Sequence, residues 1–166
     1  GDRGVCRSKV NLDGTLYTLA FGNPCAVHID PVEKKPLYHF MPGIRVYSLA
    51  VAGCNFRCLN CQNWEISQVG PREVHAYELS VESAVESALR YDCRSIAFTY
   101  SEPTSFYEYA LEIAEAAKVS GVRSAWVSNG YIRRAPLDRL CRSLGAGAIN
   151  LKSYEESVYW KLNSGH

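Results

Sequence analysis

Between Arg45 and Lys152 the chain alternates, unit after unit, between a short apolar run and a stretch with helical spacing, and this alternation leaves few folds open. The runs at residues 45–52, 95–100, 124–128 and 148–152 have strand length. A helix is expected after the first, with Ser80 as N-cap and Val81, Ala84, Val85, Ala88 and Leu89 on one face. The second starts near Thr104 with a Ser105-to-Glu108 capping box and a stripe of Phe106, Ala110, Ile113, Ala114 and Ala117, and Gly121 ends it. Pro136 opens the third, whose core positions are Leu137, Leu140, Cys141 and Leu144, with Gly145 at its close. Glu155 begins a fourth. Repeated strand-helix units require a parallel sheet with right-handed crossovers, so the expected class is α/β.

Residues 1–43 read differently, as a β-rich N-terminal lead-in. Asp13-Gly14 signals a hairpin, residues 16–21 form a strand broken by Gly22-Asn23-Pro24, and Pro31, Pro36, Pro42 and Gly43 oppose helix. Residues 44–166 then supply four β/α units, which is an incomplete barrel with an unpaired edge. With no initial methionine and an end shortly after the start of a helix, the chain reads as a piece of a longer protein that continues past His166.

The chemistry concentrates where the first strand ends, in Cys54-Asn55-Phe56-Arg57-Cys58-Leu59-Asn60-Cys61. A C-x3-C-x2-C spacing brings three thiolates to one side of a single loop, which gives an iron-sulfur cube three of its four ligands and leaves one iron open to a substrate. Zinc is the rival on these residues, with His75 as a distant fourth ligand, but zinc sites more often use two C-x2-C pairs and no second pair follows. The count of seven cysteines is odd and no signal peptide is visible, which opposes a disulfide framework. Cys25, Cys93 and Cys141 read as packed small hydrophobes, and Cys6 is as readily an unpaired thiol as a ligand. His28 and His39 have no partner at ligand spacing, and the 11 tyrosines read as ordinary packing residues.

Composition narrows the class of partner. With 47% hydrophobic and 21% charged residues the chain can bury a core, and a net charge of +1 gives no reason to expect nucleic acid or an anionic membrane. No apolar stretch reaches membrane-spanning length. Free thiols fit a reducing compartment, so the expected localisation is cytoplasmic.

The other notable polar residues also stand at the carboxyl ends of strands: Glu102 after the second, Asn129 after the third, Asn150 and Lys152 within the fourth. In parallel α/β barrels that rim forms one shared bowl. Asn150 and Lys152, two residues apart, are expected to share a side of their strand.

Three runs carry a family resemblance: Cys61-Gln62-Asn63-Trp64-Glu65-Ile66-Ser67-Gln68, Thr99-Tyr100-Ser101-Glu102-Pro103-Thr104 and Val127-Ser128-Asn129-Gly130-Tyr131. Together with the cysteine spacing and the lead-in at residues 26–37, they resemble the radical S-adenosylmethionine (SAM) enzyme of the AmmeMemoRadiSam system, a branch similar to pyruvate formate-lyase activating enzymes. The resemblance implies a partial radical SAM β/α barrel, a 4Fe-4S cluster on Cys54, Cys58 and Cys61, and SAM as second cofactor. It further implies reductive cleavage of SAM to methionine and a 5′-deoxyadenosyl radical, which takes a hydrogen atom from a protein substrate, as in activases, or from a small molecule or peptide. A one-electron reductant such as flavodoxin or ferredoxin is the implied partner. A non-catalytic zinc or iron-sulfur module is the alternative of another class.

The resemblance also distributes roles. Ser101-Glu102-Pro103 matches the Gly-Gly-Glu-Pro motif, whose glutamate and backbone receive the methionine ammonium in a charge-assisted hydrogen bond. Asn129 matches the asparagine of Thr-Asn-Gly and is placed to contact the nucleoside or methionine. Lys152 matches the lysine of Asp-x-Lys and pairs with the methionine carboxylate, while Asn150 stands in place of the aspartate and brings no negative charge. Asn60 stands where an aromatic residue often precedes the third cysteine, which leaves Trp64 or Tyr131 to contact adenine.

Overall fold

A computed structural model describes residues 3–164; Gly1, Asp2, Gly165 and His166 lie outside the described residues. It opens with a hairpin of β1 (Lys9–Leu12) and β2 (Thr15–Thr18). Asp13 and Gly14 join them, both at positive φ (51° and 86°), the backbone that a tight two-residue hairpin turn requires. The main sheet has five strands in spatial order β3 (Ala26–Pro31), β4 (Arg45–Ala50), β5 (Ser95–Phe98), β6 (Arg123–Ser128) and β7 (Ala146–Ile149). From β4 to β7 every neighbour is parallel, as the alternation of strands and helices requires. β3, from within the lead-in, pairs antiparallel with β4 along its whole length, Ala26 opposite Ala50 and Pro31 opposite Arg45. The architecture is an open α/β sheet, a partial barrel, with no closure among the described residues.

The helices are α1 (Trp64–Ser67), α2 (Val81–Arg90), α3 (Tyr107–Val119), α4 (Arg134–Cys141) and α5 (Glu156–Val158). Tyr47, Leu49, Ile96, Phe98 and Trp126 on one sheet face meet Ala84, Val85 and Ala88 of α2 and Tyr109, Ala110, Ile113 and Ala114 of α3. Burial of each large side chain contributes roughly 1.5–3 kcal/mol. Val46, Ala97 and Ala125 on the other face pack against Val32 and Leu37. Ser80 caps α2 as expected, accepting from the Ser83 N–H. No helix among the described residues is long and apolar enough to cross a membrane.

Four local expectations are corrected. The Ser105-to-Glu108 capping box does not form, because Ser105 Oγ shares its single proton between the carbonyls of Glu102 and Gly53 while Glu108 pairs with Lys9. A 3-10 turn over Pro103–Phe106, capped by Glu102, precedes α3 instead. Cys141 is exposed, since the adjacent Leu140 takes the core position of the short α4 and one residue further turns the side chain outward. Leu89 is 53% exposed beside buried Ala88 for the same reason. β7 ends at Ile149 because its partner β6 ends opposite, at Ser128; Asn150 and Lys152 therefore follow the strand rather than lie within it.

One buried ion pair closes the second face. Asp30 on β3 accepts from Lys34 at 2.8 Å, from Lys35 at 2.5 Å and from the Tyr100 hydroxyl. Burial opposes the Asp30 charge, but the bonds from Lys34, Lys35 and Tyr100 outweigh it and hold the carboxyl well below its usual range. Such a depressed carboxyl contributes stability that is full above the unfolded value of roughly 3.9 and is lost as pH falls toward the lower folded value. Lys35 is only 2% exposed, so removing its partner strands a charge in the core. Asp30→Ala is expected to cost about 3–5 kcal/mol, and adding Lys35→Met to recover much of it. Thermal or urea denaturation of the single and double variants measures this, and an equal loss in both would contradict the coupling.

Candidate functional site

The candidate site begins where β4 runs out. After Val51 and Ala52 comes Gly53 at φ +113°, where an added Cβ would stand 2.4 Å from the Cys6 carbonyl oxygen, so backbone shape and space both require glycine. Its N–H donates to Ile66 O at 2.8 Å and its carbonyl accepts from Ser105 Oγ at 3.1 Å, which fixes the direction of the loop that follows. Within that loop Cys54, Cys58 and Cys61 are free and half-buried. Phe56, 1% exposed, anchors the loop against Tyr131, with ring centroids 4.8 Å apart.

The donors suit an iron-sulfur cluster in kind. Three free thiols lie on one loop, and the Phe56 N–H points at the Cys54 sulfur at 3.3 Å, the type of bond that stabilises a thiolate ligand. Burial pushes the Cys54 thiol up to about 12, Phe56 opposes this, and the nearby Glu102, Cys58 and Cys61 add to it. A metal held by Cys54 would have to displace that proton. Among the described residues no set of three Cys, His, Asp or Glu side chains is gathered as a preformed cage, so a cluster on these sulfurs would require them to draw together.

Glu102 is 4% exposed, and its carboxylate is the hub of the rim. Oε1 accepts from Thr104 N at 3.0 Å, Thr104 Oγ1 at 2.7 Å and Ser128 Oγ at 2.8 Å; Oε2 accepts from Asn129 N at 2.9 Å. A carboxylate has about four acceptor positions, two on each oxygen, so Oε1 is crowded and Oε2 retains one. Glu102 thus joins the ends of β5 and β6 and caps the turn before α3.

Asn129 carries that hub to the cysteines. Its Nδ2 donates to Asn55 Oδ1 at 2.8 Å and its Oδ1 accepts from Tyr131 N at 3.0 Å, while Asn55 Nδ2 donates to Tyr131 O at 3.4 Å. Asn55 directly follows Cys54. Ser101 Oγ donates to Val51 O at 2.6 Å and fastens the second motif to the strand that leads into the cysteine loop. Cys54, Ser101, Glu102 and Asn129 therefore stand together at one end of the sheet. Asn150 and Lys152 are exposed: Asn150 N donates to Ser128 O at 2.8 Å, beside the rim, and Lys152 N to the Tyr159 hydroxyl at 3.2 Å, both through backbone rather than side chain. Trp64 and Tyr131 are 61% and 42% exposed, both open at the rim.

Several residues do work in the site that their sequence context did not assign to them. Asn55, Ser105 and Ser128 make the bonds that bind the motifs to one another, with partners 74, 52 and 26 residues away. Tyr100, at φ +65°, is held in a left-handed backbone that non-glycine residues rarely adopt. Its hydroxyl is fixed by Asp30, and its carbonyl accepts from Asn63 Nδ2 at 2.9 Å.

The chain is 43% identical over 161 residues to an uncharacterized protein of Methanocaldococcus jannaschii, an alignment covering 97% of this chain and 47% of that protein. The chain thus spans about half the length of the curated relative it matches. The family model described as the Radical SAM superfamily matches residues 49–166, which include the cysteine loop and the carboxyl ends of β4 to β7. The chain belongs to the Radical SAM superfamily.

Proposed function

We propose that this protein is an activase-like radical SAM enzyme of the AmmeMemoRadiSam type, and that its substrate is a protein. The observation that supports the reading best is the continuous bond path from Glu102 through Asn129 to Asn55, which ties the second and third motifs to the cysteine loop. A metal knuckle has no use for such a path.

In this reading Cys54, Cys58 and Cys61 hold a 4Fe-4S cluster. When bound, that cluster supplies one electron to SAM, whose cleavage gives methionine and the 5′-deoxyadenosyl radical that takes hydrogen from the substrate. The chain's own residues orient and shield. Glu102 receives the methionine ammonium on the acceptor position left on Oε2, Ser101 and Asn129 fix the loops on either side, and Lys152 meets the methionine carboxylate with Asn150 beside it. Trp64 and Tyr131 offer aromatic faces to adenine. A reductant of the flavodoxin or ferredoxin class delivers the electron. No protein base is required for the cleavage.

Anaerobic reconstitution is expected to give about four irons and four sulfides per chain. Cys54→Ala, Cys58→Ala and Cys61→Ala should each lose the cluster, whereas Cys141→Ala, altering an exposed thiol on α4, should keep it. Iron and sulfide analysis with visible and EPR spectra decides the matter; a colourless protein holding one zinc would sink the assignment.

Glu102→Gln tests the SAM contact. Loss of a hydrogen bond to a charged group should weaken SAM binding by about 1.5–3 kcal/mol while iron content stays the same, and Lys152→Ala should weaken it similarly. Equilibrium binding of SAM to the cluster-loaded variants is the measurement. Affinity unchanged in both would remove Glu102 and Lys152 from the site.

A further inference from the structure

We propose that Asn163 is a positioning residue for Cys58, donating a hydrogen bond from its side-chain amide to the ligand sulfur and raising the potential at which the cluster takes up its electron. The inference rests on the reading that Cys58 is a cluster ligand. Asn163 Nδ2 stands 3.0 Å from Cys58 Sγ, across 105 residues of sequence. The side chain belongs to a residue only 3% exposed, at the end of a π-helical turn over Tyr159–Asn163 that follows α5. Wide turns of this kind are rare and recur at functional sites.

The backbone shows that the contact is built in. Arg57 N donates to Asn163 O and Leu59 N donates to Leu162 O, both at 2.8 Å, so two bonds bracket Cys58 on either side and lay the segment along the cysteine loop. Asn163 Oδ1 is buried without a hydrogen-bond partner, so the amide carries a desolvation cost while its nitrogen end faces the sulfur. A thiolate offers only lone pairs, and of the two ends of an amide only the N–H2 end satisfies it. Among the described residues Cys54 has one N–H on its sulfur, Cys58 has Asn163, and Cys61 has none. An N–H aimed at a ligand sulfur stabilises the more negative, reduced state of a cluster and so raises its potential.

The test is an EPR-monitored redox titration of the anaerobically reconstituted protein. Asn163→Leu keeps the bulk and removes the donor; at a fixed poise it should hold about tenfold less reduced cluster, which for a one-electron couple is a fall of about 59 mV. Asn163→Gln keeps an amide donor and should restore most of the shift. A wild-type potential in Asn163→Leu overturns the proposal. Loss of iron from Asn163→Leu with an unchanged thermal melt, restored in Asn163→Gln, supports it, because Cys58 is then no longer held. Collapse of the melt in both variants makes Asn163 a packing residue and overturns it. Cys58→Ala separates the two readings: loss of the cluster there with an unchanged potential in Asn163→Leu defeats this proposal alone, whereas a complete cluster in Cys58→Ala defeats the cluster assignment as well.

Discussion

The rim of this sheet depends on one buried carboxylate. Glu102 takes bonds from Thr104, Ser128 and Asn129, and by doing so fixes where β5 stops, where the turn into α3 begins and how the end of β6 turns away. A carboxylate removed from water is stable only when protein donors replace the lost water, so the three segments that carry those donors are obliged to meet around it. Asn129 then passes the constraint on, because with its N–H held by Glu102 its side chain is placed to grip Asn55 and, through it, the cysteine loop. Gly53 supplies the other end of that loop, pressed against the Cys6 carbonyl. Both ends of the first half of the loop are therefore set by the protein itself.

That arrangement divides the work between backbone and sulfur. The scaffold decides where the loop lies, while the three thiols themselves remain free, half-buried and not yet gathered. Burial, with the neighbouring Glu102, disfavours a bare thiolate at Cys54, and a metal bound there would offset that cost by taking the place of the proton. Rigidity around a loop whose ligands complete their geometry on binding is compatible with both folding without metal and holding it afterwards.

The sequence disclosed this structure unevenly, for physical reasons. Parallel strands β4 to β7 were legible because apolar runs and helical spacing are local signals, and the stripe of Phe106, Ala110, Ile113, Ala114 and Ala117 is buried as its 3.6-residue period requires. The antiparallel addition of β3 was not, because pairing partners of an edge strand leave no mark in local spacing. Cys141 misled because two adjacent apolar residues at the end of a short helix fit the same stripe, and only packing selects Leu140. In the site, the cysteines announced themselves by spacing and Glu102 and Asn129 by their place after strands. What those two do for one another did not show, since the bond between them crosses 27 residues and the bond from Asn129 to Asn55 crosses 74.

The lead-in has a part in the site that its distance in sequence hides. Tyr100 immediately precedes Ser101-Glu102 and sits in a left-handed backbone, a conformation that costs a residue with a side chain on the order of 1–2 kcal/mol and persists only when its surroundings fix it. Those surroundings come from β3 and the turn after it: Asp30 accepts from the Tyr100 hydroxyl, Lys35 Nζ stands 4.5 Å over the ring, and His28 meets the ring edge at 5.6 Å. Asp30 and Lys35 are themselves buried and paired, so they have little freedom to follow if the tyrosine relaxes. The ring is thereby held from the lead-in while its carbonyl is held by Asn63 beyond the cysteines. A buried ion pair is weak as a source of stability beside an apolar core, but it is demanding in geometry. Here that demand falls on the residue from which the Glu102 motif starts, and a strand outside the β/α repeat becomes part of what places the carboxylate.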